Sequence, residues 1–206
     1  MTPKVLSPES WDLVRRLVAG GHLDSWTLAG ETGLALQLGH RYSEDLDFFR
    51  TPAFESEILL SRLSEVGPVA VQSRSSGTLH LVLEGLRVSF LAMEAPLLFP
   101  GTPYRGLVLA DPRDIAVMKL VAIGSRGSRK DFVDLFFYLQ AGGSLEAMLE
   151  LTRRRFEKID FNEYHLLKSL VFFDDAEAEP MPRMLREVSW QAIKETITAE
   201  VQRLSA

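Results

Sequence analysis

The run LAGETGLALQLGHRYSEDLDFF, Leu28 to Phe49, limits the folds open to this chain more than any other stretch. Ser25 to Ala29 reads as a short strand, and Gly30 then opens a helical segment to Leu38 with Leu34, Ala35 and Leu38 facing inward. Gly39 stops that helix. Asp45 to Phe49 returns to strand, where residues two apart share a face. Leu46 and Phe48 therefore enter the core, while Asp45 and Asp47 project together from the opposite side. By strand rise the two aspartates sit about 7 Å apart at Cα, close enough to share a hard divalent cation. The same D-L-D pattern also suits the polar outer face of a half-buried strand. The Ala29-Gly30 turn bears on that choice, because a strand turning into a helix at Glu31-Thr32 offers free backbone N–H groups and a hydroxyl to a phosphate.

Downstream and upstream segments supply the remaining layers. Ser7 to Val18 reads as a helix with Ser7 as N-cap, Pro8 at the first position, and Trp11, Val14, Leu17 and Val18 as an apolar stripe. Glu55 to Val66 is a second amphipathic helix. Pro68 to Arg74, Thr78 to Leu83 and Arg87 to Ala92 read as strands, the last two joined at Glu84-Gly85-Leu86 as a hairpin. From Asp111 the texture becomes helical. Asp111-Pro112-x-Asp114 is a strong helix start, and Ser128-Arg129-Lys130-Asp131 has capping-box form ahead of Phe132, Leu135, Phe136 and Leu139. Further helices are expected over Ser144 to Phe156, Asn162 to Phe172 and Trp190 to Leu204, with Asp174 to Met184 as a polar connection. The class expected is α+β: a mixed sheet flanked by helices over residues 1–110, followed by a helical lobe over 111–206 that completes a cleft.

Composition removes several function classes. A formal net charge of −5 gives no global field for nucleic acid, so any RNA contact needs a local patch such as Arg153-Arg154-Arg155. That run is equally a solvated helix face. With no cysteine, disulfides, thiolate metal sites and cysteine nucleophiles are excluded. The first residues, MTPKVLSPESWDLVRRL, lack an apolar block of signal-peptide or membrane-span length, so a cytoplasmic protein with no membrane contact is expected.

Two ordered blocks now carry a resemblance. Gly30, Thr32, Leu34, Ala35, His40, Arg41, Ser43, Asp45 and Asp47 fit the first motif of the polymerase-β-type nucleotidyltransferases, most closely the bacterial AbiEii/AbiGii toxin branch. Lys119 with Ala122, then Arg126, Arg129-Lys130-Asp131 and Asp134, resembles that family's downstream K-x-x-A…R-x-K-D-x-x-D-L motif. The resemblance implies a polymerase-β-like fold and a transfer of a nucleotidyl group from NTP to a hydroxyl on RNA, a tRNA included, or on protein. It also implies Mg²⁺ or Mn²⁺ held by Asp45 and Asp47, and a cognate antitoxin as partner. Gly30, Thr32 and Ser43 would sit at the nucleotide. Lys119, Arg126, Arg129 and Lys130 would meet its phosphates, and Asp131 or Asp134 would position a substrate group or act as base.

Bland readings stand beside these roles. Asp131 could simply close the Ser128 capping box, Lys130 and Asp134 could form an i,i+4 surface pair, Lys119 could snorkel from its apolar helix, and His40 could bond locally in a turn. Two positions depart from the family pattern. Glu31 replaces a usual second glycine and brings negative charge close to the expected phosphates. Ser89, in Leu86-Arg-Val-Ser89-Phe-Leu-Ala, stands at the position of a third carboxylate, and serine cannot replace a carboxylate as general base. A catalytically impaired relative that retains nucleotide or partner binding is therefore the alternative.

Overall fold

The computed structural model describes residues 1–157 and 162–205. Within them seven strands form one mixed sheet: β1 (Thr27–Leu28), β2 (Leu46–Arg50), β3 (Val69–Ser75), β4 (Thr78–Leu83), β5 (Leu86–Ala92), β6 (Thr102–Tyr104) and β7 (Leu107–Leu109). Their order is β3-β4-β5-β2-β1-β7-β6. β2 runs parallel to β5 and antiparallel to β1, and β1 runs parallel to β7. Helices α1 (Pro8–Ala19), α2 (Gly30–Leu38) and α3 (Ser56–Ser64) are interleaved with the first strands. The chain then becomes helical through α4 (Pro112–Ser125), α5 (Arg129–Gln140), α6 (Leu145–Arg155), α7 (Glu163–Ser169), α8 (Asp174–Glu177) and α9 (Trp190–Ser205). This is the α+β arrangement that the sequence leads one to expect.

Local chemistry accounts for the main boundaries. Ser7 caps α1 by accepting from the Ser10 amide at 3.1 Å, with Pro8 at the first helical position. Asp111 does the same for α4 through the Arg113 amide at 2.9 Å. The β4–β5 hairpin turns at Glu84 and Gly85, both at positive φ, the geometry that matches the right-handed twist of the strands it joins. A second hairpin, β6–β7, turns in the same way at Arg105 and Gly106. Its three-residue strands, the first containing Pro103, fall below what sequence alternation can register. α8 likewise occupies part of the segment expected to be a polar connection, anchored by buried Ala176.

One apolar cluster gathers α1, α3 and one face of the sheet, including Leu13, Leu17, Leu46, Phe48, Leu79, Leu81 and Phe90. Another is built from α4 to α9 around Leu120, Phe132, Leu135, Ile193 and Ile197. Between them lies a small cluster of Ala29, Leu34, Ala110 and Ile115. α2 is central to the molecule, with Glu31 through Leu36 all buried. A helix enclosed on all sides has no room for an exposed polar stripe, so its polar side chains Glu31 and Thr32 are buried against specific partners. Among the described residues no helix is long and apolar enough to cross a membrane.

Candidate active site

The site begins where β1 turns into α2. Gly30 adopts φ +57°, and a Cβ placed there would lie 2.9 Å from Asp47 Oδ2. Both the backbone conformation and the approach of the aspartate require glycine. Asp47 sits on β2 opposite Ser89 of β5, while Leu46 and Phe48 are buried in the core. Asp45 lies one residue before β2 and, with Asp47, lines a cavity of about 320 Å³. The opposite lining includes Met118, Lys119, Ala122 and Arg126 from the α4 segment and Lys130 and Asp131 from α5. Gly30 and Glu31 place the N-terminus of α2 at the same cavity, and His80 and Leu91 add side chains from the sheet.

Beneath the cavity is a network of buried ions. Lys119 Nζ lies 2.8 Å from Asp131 Oδ1 and 2.7 Å from Asp134 Oδ2. Arg126 Nε lies 2.9 Å from Asp131 Oδ2. Asp134 also accepts from Arg41 through Nε at 2.7 Å and Nη2 at 2.9 Å, and His40 Nε2 stands 2.8 Å from it. Burial works against the Asp134 anion, but the charges of Arg41 and Lys119 and the bond to His40 outweigh it and hold its pKa well below the carboxylate range. Burial likewise opposes the Lys119 cation. Asp134 and Asp131 overcome that effect and keep the lysine pKa above its ordinary value.

This network replaces several bland readings of the sequence. The Ser128 capping box does not form: Ser128 Oγ donates to Glu179, and Asp131 is committed to Lys119 and Arg126. Lys130 reaches Glu31 at 2.7 Å and Asp45 at 3.5 Å instead of pairing with Asp134. His40 bonds across 94 residues rather than locally. The Arg153 to Arg155 run is divided, with Arg153 on Glu163 and Arg155 buried near Asp114.

Other site residues named from the sequence lie away from the cavity lining. Thr32 is buried, its hydroxyl 2.6 Å from Ser43 Oγ and donating to the Asp45 carbonyl, so Thr32 and Ser43 brace the approach to β2 from behind. Asp134 is fully buried under Lys119. Arg129 turns away from the cavity into the helical lobe, donating to the Ala176 carbonyl at 2.7 Å and stacking its guanidinium on Trp190.

Glu31 is also tied down. Ser43 Oγ donates to it at 3.1 Å, Arg41 Nη2 stands at 3.4 Å and Lys130 Nζ at 2.7 Å. Burial alone would raise its pKa, but Arg41 and Lys130 dominate and bring it down to about 2. The negative charge that the sequence places near the expected phosphates is thus matched by two cations. Asp45 is matched as well, by Arg87 Nε at 2.5 Å and by Lys130.

Asp47 differs from these. Among the described residues no cationic side chain lies within 4.0 Å of it. Burial, with the neighbouring charges of Glu31 and Asp45, raises its pKa, and the nearby Ser89 hydroxyl and the more distant Lys119 charge offset part of the rise. A half-buried carboxylate with no cation in direct contact, beside a second carboxylate and a glycine that keeps the space open, is a donor set suited to a hard divalent cation. No group of three or more His, Cys, Asp or Glu side chains converges among the described residues. Mg²⁺ held by one or two carboxylates completes its shell with water and phosphate oxygens, so two aspartates suffice.

A mixed sheet with paired aspartates at the start of one strand against a glycine turn, faced by a lysine on a helix and an arginine at that helix's end, defines a nucleotidyltransferase fold. The family model described as "Nucleotidyl transferase AbiEii toxin, Type IV TA system" matches residues 11–79 and 84–204. The chain belongs to the AbiEii nucleotidyltransferase toxin family. It is 34% identical over 204 residues to an uncharacterized protein, aq_aa25, of Aquifex aeolicus, with 96% of each chain covered. Among solved structures it is similar to MenT4, a nucleotidyltransferase toxin of Mycobacterium tuberculosis, with a TM-score of 0.57 and 16% identity, covering 97% of this chain and 86% of that one. It is also similar in fold to the antibiotic-resistance factor ANT(2'')-Ia, with a TM-score of 0.54 and 13% identity over 73% of this chain and 92% of that one.

Residues that sequence reasoning left without a role are Arg41, which clamps Asp134 and Glu31, Arg87, which covers Asp45, and His80. Hairpin arithmetic could have located His80. A two-residue turn at Glu84-Gly85 pairs Leu83 with Leu86 and therefore His80 with Ser89.

Proposed function

We propose that this protein transfers a nucleotidyl group from NTP to a hydroxyl on RNA, a tRNA included, or on protein, as the toxin of a pair whose antitoxin is a separate protein. The observation that carries this reading is the cavity shared by Asp45, Asp47, Lys119 and Arg126, in which Asp47 alone of the lining carboxylates has no cation within 4.0 Å among the described residues. Asp45 and Asp47 would hold Mg²⁺ or Mn²⁺, which when bound neutralises the triphosphate and lowers the pKa of an attacking hydroxyl. The amides at the start of α2 receive a phosphate group. Lys119, kept protonated by Asp131 and Asp134, and Arg126 stabilise charge that builds on departing pyrophosphate. Lys130 and Arg87 exchange from Asp45 to phosphate oxygens when nucleotide enters. Asp134 and Arg41 hold the lysine in place from below.

Thermal unfolding with and without nucleotide tests this. A ligand that binds only the folded state raises the melting temperature by mass action. Mg²⁺ with NTP at millimolar concentration is expected to raise it in the parent protein, and Asp45→Asn combined with Asp47→Asn to abolish the rise. No rise in the parent at millimolar Mg·NTP would overturn nucleotide binding at this cavity.

A further inference from the structure

At the sheet position where a third carboxylate is expected, three side chains stand in one row across three strands. The register pairs His80 of β4 with Ser89 of β5, and Ser89 with Asp47 of β2. His80 Nδ1 lies 2.9 Å from Ser89 Oγ, and Ser89 is the register partner of Asp47 on the neighbouring strand, where it favours the Asp47 anion. The direction of this chain follows from donor inventory. A serine hydroxyl has one proton, and an ionised carboxylate can only accept. The neighbouring Asp47 anion draws that proton to its side, so Ser89 Oγ accepts from His80, which places the imidazole proton on Nδ1. Nε2 then carries a free lone pair. It has no partner among the described residues, and His80 lines the cavity that holds Asp45, Asp47 and Lys119.

We propose that His80 Nε2 is the proton acceptor for the attacking hydroxyl, and that Ser89 is a positioning residue that fixes the required tautomer. Together the pair takes over the task of the missing third carboxylate. This rests on the nucleotidyl-transfer reading of the cavity. The acceptor oxygen forms a bond to the α-phosphorus, and the bond from that phosphorus to the bridging oxygen breaks with its electron pair leaving on pyrophosphate. The hydroxyl proton passes to His80 Nε2, and the resulting imidazolium, held through Nδ1–H by Ser89, returns it to water. Second-shell control of which ring nitrogen carries the proton is a familiar determinant of histidine function.

Two measurements test the inference. The first is long-range ¹H–¹⁵N NMR of the imidazole rings at about pH 8.5, two units above an ordinary imidazole, with His80 assigned through His80→Gln. The expected result is the Nδ1–H tautomer, lost in Ser89→Ala; an Nε2–H tautomer in the parent overturns the proposal. The second follows label from α-³²P-NTP to total tRNA with Mg²⁺. His80→Gln is expected to lose about 10²-fold or more in rate while keeping the Mg·NTP-induced thermal shift, and adding Ser89→Asp to restore part of the loss by returning a carboxylate to the row. A kept thermal shift with transfer at the parental rate overturns the role of His80 alone, whereas absence of any nucleotide-induced shift in the parent overturns the nucleotidyl reading itself.

Discussion

Replacing Glu31 with glutamine preserves the shape of a buried side chain and removes only its charge. In the folded protein Arg41 and Lys130 overcome burial and lower the Glu31 pKa from 4.5 to about 2. At roughly 1.4 kcal/mol per pKa unit, the charged form contributes about 3 kcal/mol to stability. The folded pKa lies below the unfolded one, so this contribution is complete at neutral pH. It declines as pH falls through 4.5 and is gone below about 2. Urea unfolding of the parent and of Glu31→Gln should therefore differ by about 3 kcal/mol at pH 7, which for a chain of this size is about 6–12 °C in melting temperature. At pH 3.5 the difference should narrow to about 2 kcal/mol, because roughly 1.4 kcal/mol of the parent's advantage has been titrated away. A difference that is the same at both pH values, or that stays below about 0.5 kcal/mol at pH 7, would refute the charge assignment around Glu31.

Two further substitutions probe the layers on either side. Asp134→Asn leaves Arg41 and Lys119 buried with less negative charge to share, and the expected cost is about 3–5 kcal/mol, read as a lower urea midpoint with an unchanged slope; a cost under about 1 kcal/mol would contradict the network. Gly30→Ala must place a methyl 2.9 Å from Asp47 Oδ2 at φ +57°. It should destabilise by about 1–2 kcal/mol and reduce the Mg·NTP-induced thermal shift, and an unchanged shift would show that the Asp47 carboxylate is free to move aside without consequence.

Much of the N-terminal sheet is legible because its elements are bounded by strong local signals. Gly30 and Gly39 delimit α2, and alternation at Leu79, Leu81 and Leu83 fixes the core face of β4. The D-L-D pair could be placed on one face by strand period alone. What the sequence conceals is long-range. Two partners of Asp134, Arg41 and His40, lie more than ninety residues away, and no local pattern distinguishes a buried ion network from a surface i,i+4 pair. The Ser128 motif has the form of a capping box, yet tertiary contacts claim both of its side chains. Glu31 reads as an intruding negative charge until Arg41 and Lys130 are seen against it. Ser89 reads as a loss for the same reason: its relation to His80 follows from hairpin register, but its relation to Asp47 depends on the parallel pairing of β2 with β5, which nothing local specifies.

If the Asp45–Asp47 cavity moves the α-phosphoryl group, with its nucleoside, to an acceptor hydroxyl, label on the α-phosphorus must follow it. The most direct measurement incubates the protein and Mg²⁺ with total RNA and parallel samples of NTP labelled at the α- or the γ-phosphate. The α-label should become attached to RNA, the γ-label should leave as pyrophosphate, and Asp45→Asn with Asp47→Asn should remove the α-signal. Transfer of γ-label, or α-label transfer that survives loss of both aspartates, would contradict nucleotidyl transfer at this cavity.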